Sequence, residues 1–136
     1  MKANDPLAAL VASDAKAADR QQLAELLGPY VQIDSSTQEF RFLPAFTRLS
    51  TNDDKVEILL AAAKARALIF ESTDGLLPKE VIDLGLMPLG STKSAIKRLF
   101  DTRKIRKGKD GRYSVPNYRV PEIAAQYRSS GQGKPS

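Results

Sequence analysis

The residues of this sequence that can do chemistry are cations near its C-terminal end, not nucleophiles or metal ligands. The 136 residues include no Cys and no His, which excludes disulfides, thiolate or imidazole metal sites and imidazole-based catalysis. Residues 88–136 carry 12 Lys+Arg and 3 Asp+Glu, a net charge of +9, whereas residues 1–87 carry 9 Lys+Arg and 13 Asp+Glu, a net charge of −4. Phosphate binding depends on local charge density, so the contrast favours a polyanionic partner over a merely solvated basic surface.

An enzyme is the least favoured class of function. Without His or Cys, catalysis would need carboxylates and a metal ion, and no Asp, Glu and Lys cluster has nuclease-like spacing. Asp53 and Asp54 stand at the start of a predicted helix, where carboxylates stabilise the positive end of the helix dipole, so we interpret them as capping groups and not as metal ligands. We expect no catalytic residue, metal, cofactor or small-molecule ligand. The carboxylates that a fold would have to assemble for catalysis are Glu39, Asp53, Asp54 and Glu57.

The sequence predicts no membrane contact. Its longest apolar stretch, residues 56–70, is interrupted by Glu57, Lys64 and Arg66, so it does not read as a membrane span. The first six residues lack the basic and apolar regions of a secretory signal. We therefore expect a cytoplasmic, intracellular protein.

The N-terminal third predicts helices followed by a β-hairpin. Asp5-Pro6 and Asp19 are helix-start signals, and Gly28-Pro29 is a stop; the helical residues between them form one broken helix or two short ones. Residues 30–43 alternate apolar and polar side chains around a turn at 34–38, which indicates a hairpin with one apolar face. A lone hairpin is marginal in water, so it must pack on helices.

The rest of the chain predicts helices and a second hairpin. A long core helix runs to Phe70, with Ser50, Thr51 or Asn52 as its N-cap. Pro78 begins a short helix, and Ser91 caps the next one, whose inner face carries Ile96, Leu99 and Phe100 with Thr92 one turn earlier. Residues 105–107 and 112–115 flank Asp110-Gly111, a strong hairpin signal, and a last helix begins at Pro121. Tyr113 and Tyr118 are interpreted as packing residues and not as platforms for base stacking.

This order of elements resembles the winged helix-turn-helix superfamily. The runs at 78–81, 86–92 and 111–116, with Ile96, Leu99 and Ile105 between them, follow the superfamily pattern. The resemblance covers about residues 53–118, with residues 56–70 as first helix and Leu76-Leu77 as first short strand. Two places depart from it: Gly85 stands one position before the usual turn glycine, and Arg103-Lys104 replace a small apolar pair.

The resemblance implies binding to double-stranded DNA, with the second helix in the major groove and the basic wing on the backbone or minor groove. The residue types agree, because hydroxyls and free N–H groups at a helix start bind phosphates and cations bind phosphates or guanines. The residues expected to contact DNA are Ser91, Thr92, Lys93, Ser94, Lys97 and Arg98 on the helix, and Arg106, Lys107, Lys109 and Arg112 on the hairpin.

We therefore expect a mainly α fold with small β parts, a winged helix-turn-helix preceded by N-terminal helices and a β-hairpin. Residues 1–49 would form the segment offered to a homodimer or protein partner, residues 50–128 the winged-helix domain with its C-terminal helix, and residues 129–136 a flexible tail. The leading interpretation is a transcriptional regulator. The alternative is a protein–protein module, an accessory subunit of a larger nucleoprotein complex for replication, partition or defence.

Overall fold

The computed structural model describes residues 18–129, with side chains up to Tyr127. The helix predicted from Asp5-Pro6 lies outside this range, as does the tail predicted at residues 129–136 apart from Ser129, which is the last residue of the final helix. The chain is mainly helical with two small antiparallel sheets. Its elements are α1 (Arg20–Leu27), β1 (Val31–Ile33), β2 (Phe40–Phe42), α2 (Pro44–Thr47), α3 (Asn52–Phe70), α4 (Pro78–Asp83), α5 (Leu89–Asp101), β3 (Arg106–Lys107), β4 (Tyr113–Ser114), a 3-10 helix (Asn117–Arg119) and α6 (Val120–Ser129).

The first helix and the first hairpin form as predicted. Asp19 caps α1, since its carboxylate accepts from the backbone N–H groups of Gln21 and Gln22 at 2.9 and 3.1 Å. Strands β1 and β2 pair in antiparallel register, with Val31 opposite Phe42. The turn between them is held by Asp34, whose Oδ1 accepts from two backbone N–H groups. The apolar face of this hairpin packs against the core, and helix α2, which no sequence signal predicted, follows it directly.

Helix α3 is the centre of the core, as its apolar periodicity predicts. Thr51 is the N-cap among the three candidates, because its Oγ1 accepts from the Asp54 N–H at 3.0 Å. Val56, Ile58, Leu59 and Leu60 are completely buried. Buried residues from α1 through α6 join the same hydrophobic cluster, so burial of apolar area holds both ends of the described chain to this helix.

Helix α3 also carries two charged residues into the core. Lys64 is 4% exposed, and its Nζ lies 2.5 Å from Asp74 Oδ2 and 2.6 Å from Asn117 Oδ1. Glu57 is 2% exposed and accepts from Arg119 Nη1 at 2.6 Å. Breaking a buried pair by removing one partner leaves an uncompensated charge, so these pairs tie α3 to the loop after it and to the 3-10 helix before α6.

Tyr127 of α6 completes this polar cluster. Its hydroxyl donates to Asp54 at 2.9 Å and to Glu57 at 3.3 Å. Burial, with the charges of Glu57 and Asp54, raises the pKa of Tyr127. Burial lowers the pKa of Arg119, but the hydrogen bond and charge of Glu57 outweigh it, so the net pKa is raised. Both groups therefore keep their protons at neutral pH.

Helices α4 and α5 follow α3; α5 packs against α3, and α4 packs against α5. Pro78 is the first residue of α4, as predicted, and Glu80 Oε1 accepts from the Leu77 N–H at 2.8 Å. The turn after α4 contains Gly85 at φ +67°, a conformation that costs glycine little. The prediction that Ser91 caps α5 is wrong: the helix begins at Leu89 with Pro88 as N-cap, so Ser91 lies inside its first turn.

The second hairpin forms as the Asp110-Gly111 signal predicts. Arg106 pairs with Ser114 and Lys107 with Tyr113 in antiparallel register. Residues 76–77, expected to form a short strand, contribute a single antiparallel bridge from Leu76 to Tyr113. The chain reaches this bridge through Gly75 at φ +92°, where a Cβ atom would lie 2.7 Å from the Tyr113 carbonyl oxygen. Only glycine fits there.

Helix α6 closes the core against α1, with Ile123, Ala124 and Tyr127 buried. Across the described residues, no helix combines the length and the apolar character that a membrane crossing requires.

Candidate nucleic-acid interface

The outer face of α5 is cationic and solvent-exposed. Ala95, Ile96 and Leu99 face the core, and this orientation turns Lys93, Ser94, Lys97 and Arg98 outward. Lys93 and Lys97 are one turn apart and so lie on the same stripe of the helix. No ion pair is found for Lys93 among the side chains of residues 18–127.

The first turn of α5 borders an open hollow of about 510 Å³. The N–H groups of Leu89, Gly90 and Ser91 have no acceptor within the helix, because helix geometry leaves the first turn unpaired. Ser91 is half-buried and Ser94 is exposed at the same end of the helix. The residues around the hollow are Asn52, Pro88, Gly90, Ser91, Ser94 and Arg98.

Thr92 does not share the exposure of its neighbours. It is 1% exposed, and its Oγ1 donates to the Pro88 carbonyl at 3.2 Å. The side chain packs on the inner face of α5, one turn before Ile96. A duplex outside the protein cannot reach this hydroxyl, so Thr92 is not part of the exposed face of α5.

Two cations of α5 already have carboxylate partners. Lys97 contacts Asp101 one turn later at 2.9 Å, and the hydrogen bond to Asp101 raises the pKa of Lys97. Arg98 donates to both oxygens of Asp53 at the start of α3, with a shortest distance of 2.6 Å, and this contact raises the pKa of Arg98. Both side chains are more than half exposed, at 76% and 56%. Pairs this exposed are weak, so a phosphate can compete for either cation.

The cations of the second hairpin fall into two groups. Arg106, Lys107 and Lys109 are exposed, and Lys107 Nζ lies 5.7 Å from the centre of the Tyr113 ring. Arg112 is only 29% exposed; it contacts Glu80 of α4 at 2.8 Å and Asp110 at 3.5 Å. Arg112 therefore joins the hairpin to α4, while the first three residues face solvent.

The expected site omits residues that the structure places beside it. Arg103 and Lys104 are exposed between α5 and β3, and neither side chain has an ion-pair partner within the described part of the chain. The basic pair was visible in the sequence as a departure from the superfamily pattern. Phe100 and Tyr118, expected to pack, are 43% and 42% exposed. No periodicity argument identifies an exposed aromatic residue at a helix end.

Three of the four carboxylates considered for catalysis have structural partners. Asp53 binds Arg98, Asp54 accepts from Tyr127, and Glu57 binds Arg119. Within residues 18–127, the acidic side chains form no group of three or more that could hold a metal ion. Comparisons of the chain with protein-family models, with curated proteins and with solved structures give no match.

Proposed function

We propose that this protein binds double-stranded DNA as a winged helix-turn-helix protein and acts in the cytoplasm as a transcriptional regulator. In this proposal the outer face of α5 enters the major groove, and the β3–β4 hairpin lies on the backbone or in the minor groove. Arg106, Lys107 and Lys109 are the wing residues that contact phosphates.

The order and packing of the elements support the proposal. Helix α5 packs against both α3 and α4, and β3–β4 is bridged at Tyr113 to Leu76, just before α4. The turn glycine, Gly85, takes a positive φ despite its displaced position. A helix pair followed by a hairpin that is attached beside it is the arrangement on which winged helices depend.

One observation carries the functional conclusion. Lys93 and Lys97 on α5 and Lys107 and Lys109 on the second hairpin are all exposed on two consecutive elements. The acidic residues nearest to them in sequence, Asp101 and Asp110, are each already beside a cation. A surface with cations in excess on a helix and the hairpin after it is electrostatically suited to a nucleic-acid backbone.

Salt dependence tests the proposal. A labelled duplex of about 20 base pairs is titrated with protein at several salt concentrations. Four to six phosphate contacts predict that log K falls against log salt with a slope of about −4 to −5. No binding at low salt, or an affinity independent of salt, would overturn DNA binding.

A pair of variants tests where the duplex binds. Lys97→Ala should weaken binding and lower the magnitude of the salt slope by about 1. Arg48→Ala removes the same charge from an exposed position just after α2, so its affinity should stay near that of the native protein. Equal losses in both variants would mean that only the total charge matters.

Selection of bound sites from random duplex DNA tests the regulatory role. A dimeric regulator predicts a palindromic consensus, because half-site spacing follows the two-fold symmetry of the protein. If the selected sites share no consensus, the protein binds DNA without sequence selectivity, and the regulatory role is contradicted.

One observation favours the accessory-subunit function as a second candidate. An apolar groove of about 380 Å³ lies between α1, β1 and the end of α3, and beside it Ile69 is 56% exposed. Exposed apolar surface of this kind is found at protein contacts. A stoichiometric protein partner that stays bound at high salt and is released by Ile69→Asp, in a protein that does not bind duplex DNA, would favour this function.

A further inference from the structure

A second groove lies where α5 ends and the second hairpin begins. Its volume is about 470 Å³, within the range of small-molecule and cofactor sites. It is separate from the hollow at the first turn of α5. The side chains that matter for its chemistry are Phe100, Asp101, Arg103, Arg106, Pro116 and Tyr118.

Two aromatic side chains are exposed in this groove without being needed for the core. Phe100 is 43% exposed and touches Tyr113 edge-on, with ring centres 5.8 Å apart. Tyr118 is 42% exposed on the 3-10 helix. Aromatic rings that stay in solvent lose the stabilisation of burial, and such rings are the surfaces on which unpaired bases stack.

The charge around the groove suits a phosphate chain. Arg103 and Arg106 line it, and the single acidic side chain among its lining residues, Asp101, is already 2.9 Å from Lys97. Stacking surfaces combined with a basic groove characterise proteins that bind single strands.

Arg103 adds an independent observation. It follows the end of α5 at φ +63°, and its N–H and that of Lys104 donate to the carbonyls of Phe100 and Leu99 at 3.0 and 2.8 Å. This is the Schellman arrangement, in which the left-handed residue is usually glycine. A residue with a side chain is strained there, so an arginine at this position calls for a use of its side chain.

The groove also continues the outer stripe of α5. Lys93, Lys97 and Phe100 succeed one another at helical spacings of four and three residues, which brings them to one face. A strand whose phosphates follow Lys93 and Lys97 would reach Phe100 and the groove at the end of the helix.

We propose that this groove binds unpaired nucleotides of single-stranded DNA, with bases stacked on Phe100 and Tyr118 and a phosphate beside Arg103. The protein then recognises a junction, in which a duplex continues into a single strand. Single-strand binding is distinct from duplex binding by the α5 face, and the two are tested separately.

Three labelled DNAs test the inference: a blunt duplex of about 20 base pairs, the same duplex with a thymidine tail of about six nucleotides, and a single strand of thymidine. The tailed duplex should bind about tenfold more tightly than the blunt one, given the usual contribution of one stacked base. Phe100→Leu and Tyr118→Leu should each lose most of this gain, and Tyr118→Leu, which lies on the 3-10 helix and not on the α5 face, should leave binding of the blunt duplex unchanged. Phe70→Leu, at the end of α3, is the aromatic control and should keep the gain.

A fluorescent base makes the readout specific to stacking. With 2-aminopurine in the tail, emission should change on binding to the native protein and should change much less with Phe100→Leu or Tyr118→Leu. The inference is overturned if the native protein binds tailed and blunt duplexes with equal affinity. It is also overturned if both Leu variants keep the full preference for the tailed duplex. If the native protein does not bind the blunt duplex, the proposed duplex function is contradicted instead. Binding of the single thymidine strand then still tests the groove.

A glycine variant separates strain from binding. Arg103→Gly should raise the midpoint of thermal unfolding by about 4 °C, because glycine accepts a positive φ. The same variant should bind the tailed duplex about threefold more weakly, because it loses a phosphate contact. Gln38→Gly, at φ +64° in the first hairpin, should raise the midpoint without changing the affinity for tailed DNA. If Arg103→Gly binds tailed DNA as tightly as the native protein, the phosphate contact assigned to Arg103 is wrong.

Discussion

The two hairpins share one architecture and differ in what their side chains do. Both are two-stranded and antiparallel, and in each the turn contains an aspartate that accepts a hydrogen bond from the backbone, Asp34 from Ser36 and Asp110 from Arg112. The first presents Val31, Phe40 and Phe42 to the core. The second exposes both residues of β3, Arg106 and Lys107, to solvent.

Cations in the two hairpins are also used differently. Arg41 of β2 contacts Asp34 at 3.5 Å, and Arg66 of α3 covers the Phe40 ring at 4.1 Å and donates to the Gln38 carbonyl at 2.9 Å. Charge at the first hairpin therefore serves the fold. In the second hairpin, Arg112 is tied to α4, and Tyr113 bridges to Leu76 and packs on Phe100. Lys107 and Lys109 are exposed on the same hairpin, so these two cations are available to a ligand.

The largest expected effect is on stability, at the first hairpin. Phe42 packs on Phe46 with ring centres 4.6 Å apart, so Phe42→Ala should lower the free energy of unfolding by about 2–3 kcal/mol. Urea denaturation measures this. The folded variant should bind duplex DNA with unchanged affinity, and a drop in affinity without loss of stability would reverse the roles assigned to the hairpins.

The next effect is on binding, at the second hairpin. Lys107→Ala combined with Lys109→Ala should weaken duplex binding about tenfold at 0.1 M salt and lower the magnitude of the salt slope by about 2. Stability should hardly change, because both side chains are exposed. Arg41→Ala, in the first hairpin, is the control, and an equal loss of affinity there would contradict the comparison.

A smaller effect separates attachment from binding within the second hairpin. Arg112→Met removes the contact with Glu80 and should lower the free energy of unfolding by about 0.5–1 kcal/mol. Its affinity for duplex DNA should fall less than that of Lys109→Ala. If Arg112→Met instead binds more weakly and unfolds normally, Arg112 is a DNA contact and not an anchor.

The smallest effect is a pH dependence confined to the first hairpin. Backbone hydrogen bonds from Thr37 and Ser36 hold the pKa of Asp34 below its ordinary value of 3.8. A lowered pKa stabilises the folded state above the unfolded-state pKa, and this contribution is lost as the pH falls through the folded-state pKa. A carboxyl NMR titration should give an Asp34 midpoint below 3.8; a midpoint at or above it would contradict the turn geometry.

Local signals in the sequence predicted the elements but not their long-range pairings. The alternation around residues 34–38, the Asp110-Gly111 turn and the periodicity of α3 each depend on neighbouring residues, and all three predictions are confirmed. Arg98 and Asp53 are 45 residues apart, and Arg119 and Glu57 are 62 apart. Only the packed fold brings such partners together.

Only part of the candidate site could be predicted, because local patterns determine which side of a helix a residue is on but not how distant segments pack. The exposed lysines of α5 follow from its amphipathic pattern, which also puts Thr92 one turn before Ile96 on the inner face. The Ser91 cap prediction failed because Pro88 can serve as the residue before a helix and allows the helix to begin earlier. Exposure of Phe100 and Tyr118 depends on how the hairpin leaves the end of α5, which local patterns do not specify.

Amide chemical-shift mapping during titration with a duplex tests the central claim most directly, because it reports both hairpins in one experiment. Duplex binding by α5 and the second hairpin predicts shifts along α5 from Leu89 to Asp101 and in the segment from Arg106 to Ser114, with β1 and β2 unchanged. Shifts concentrated in β1 and β2, or no shifts at low salt, would contradict it.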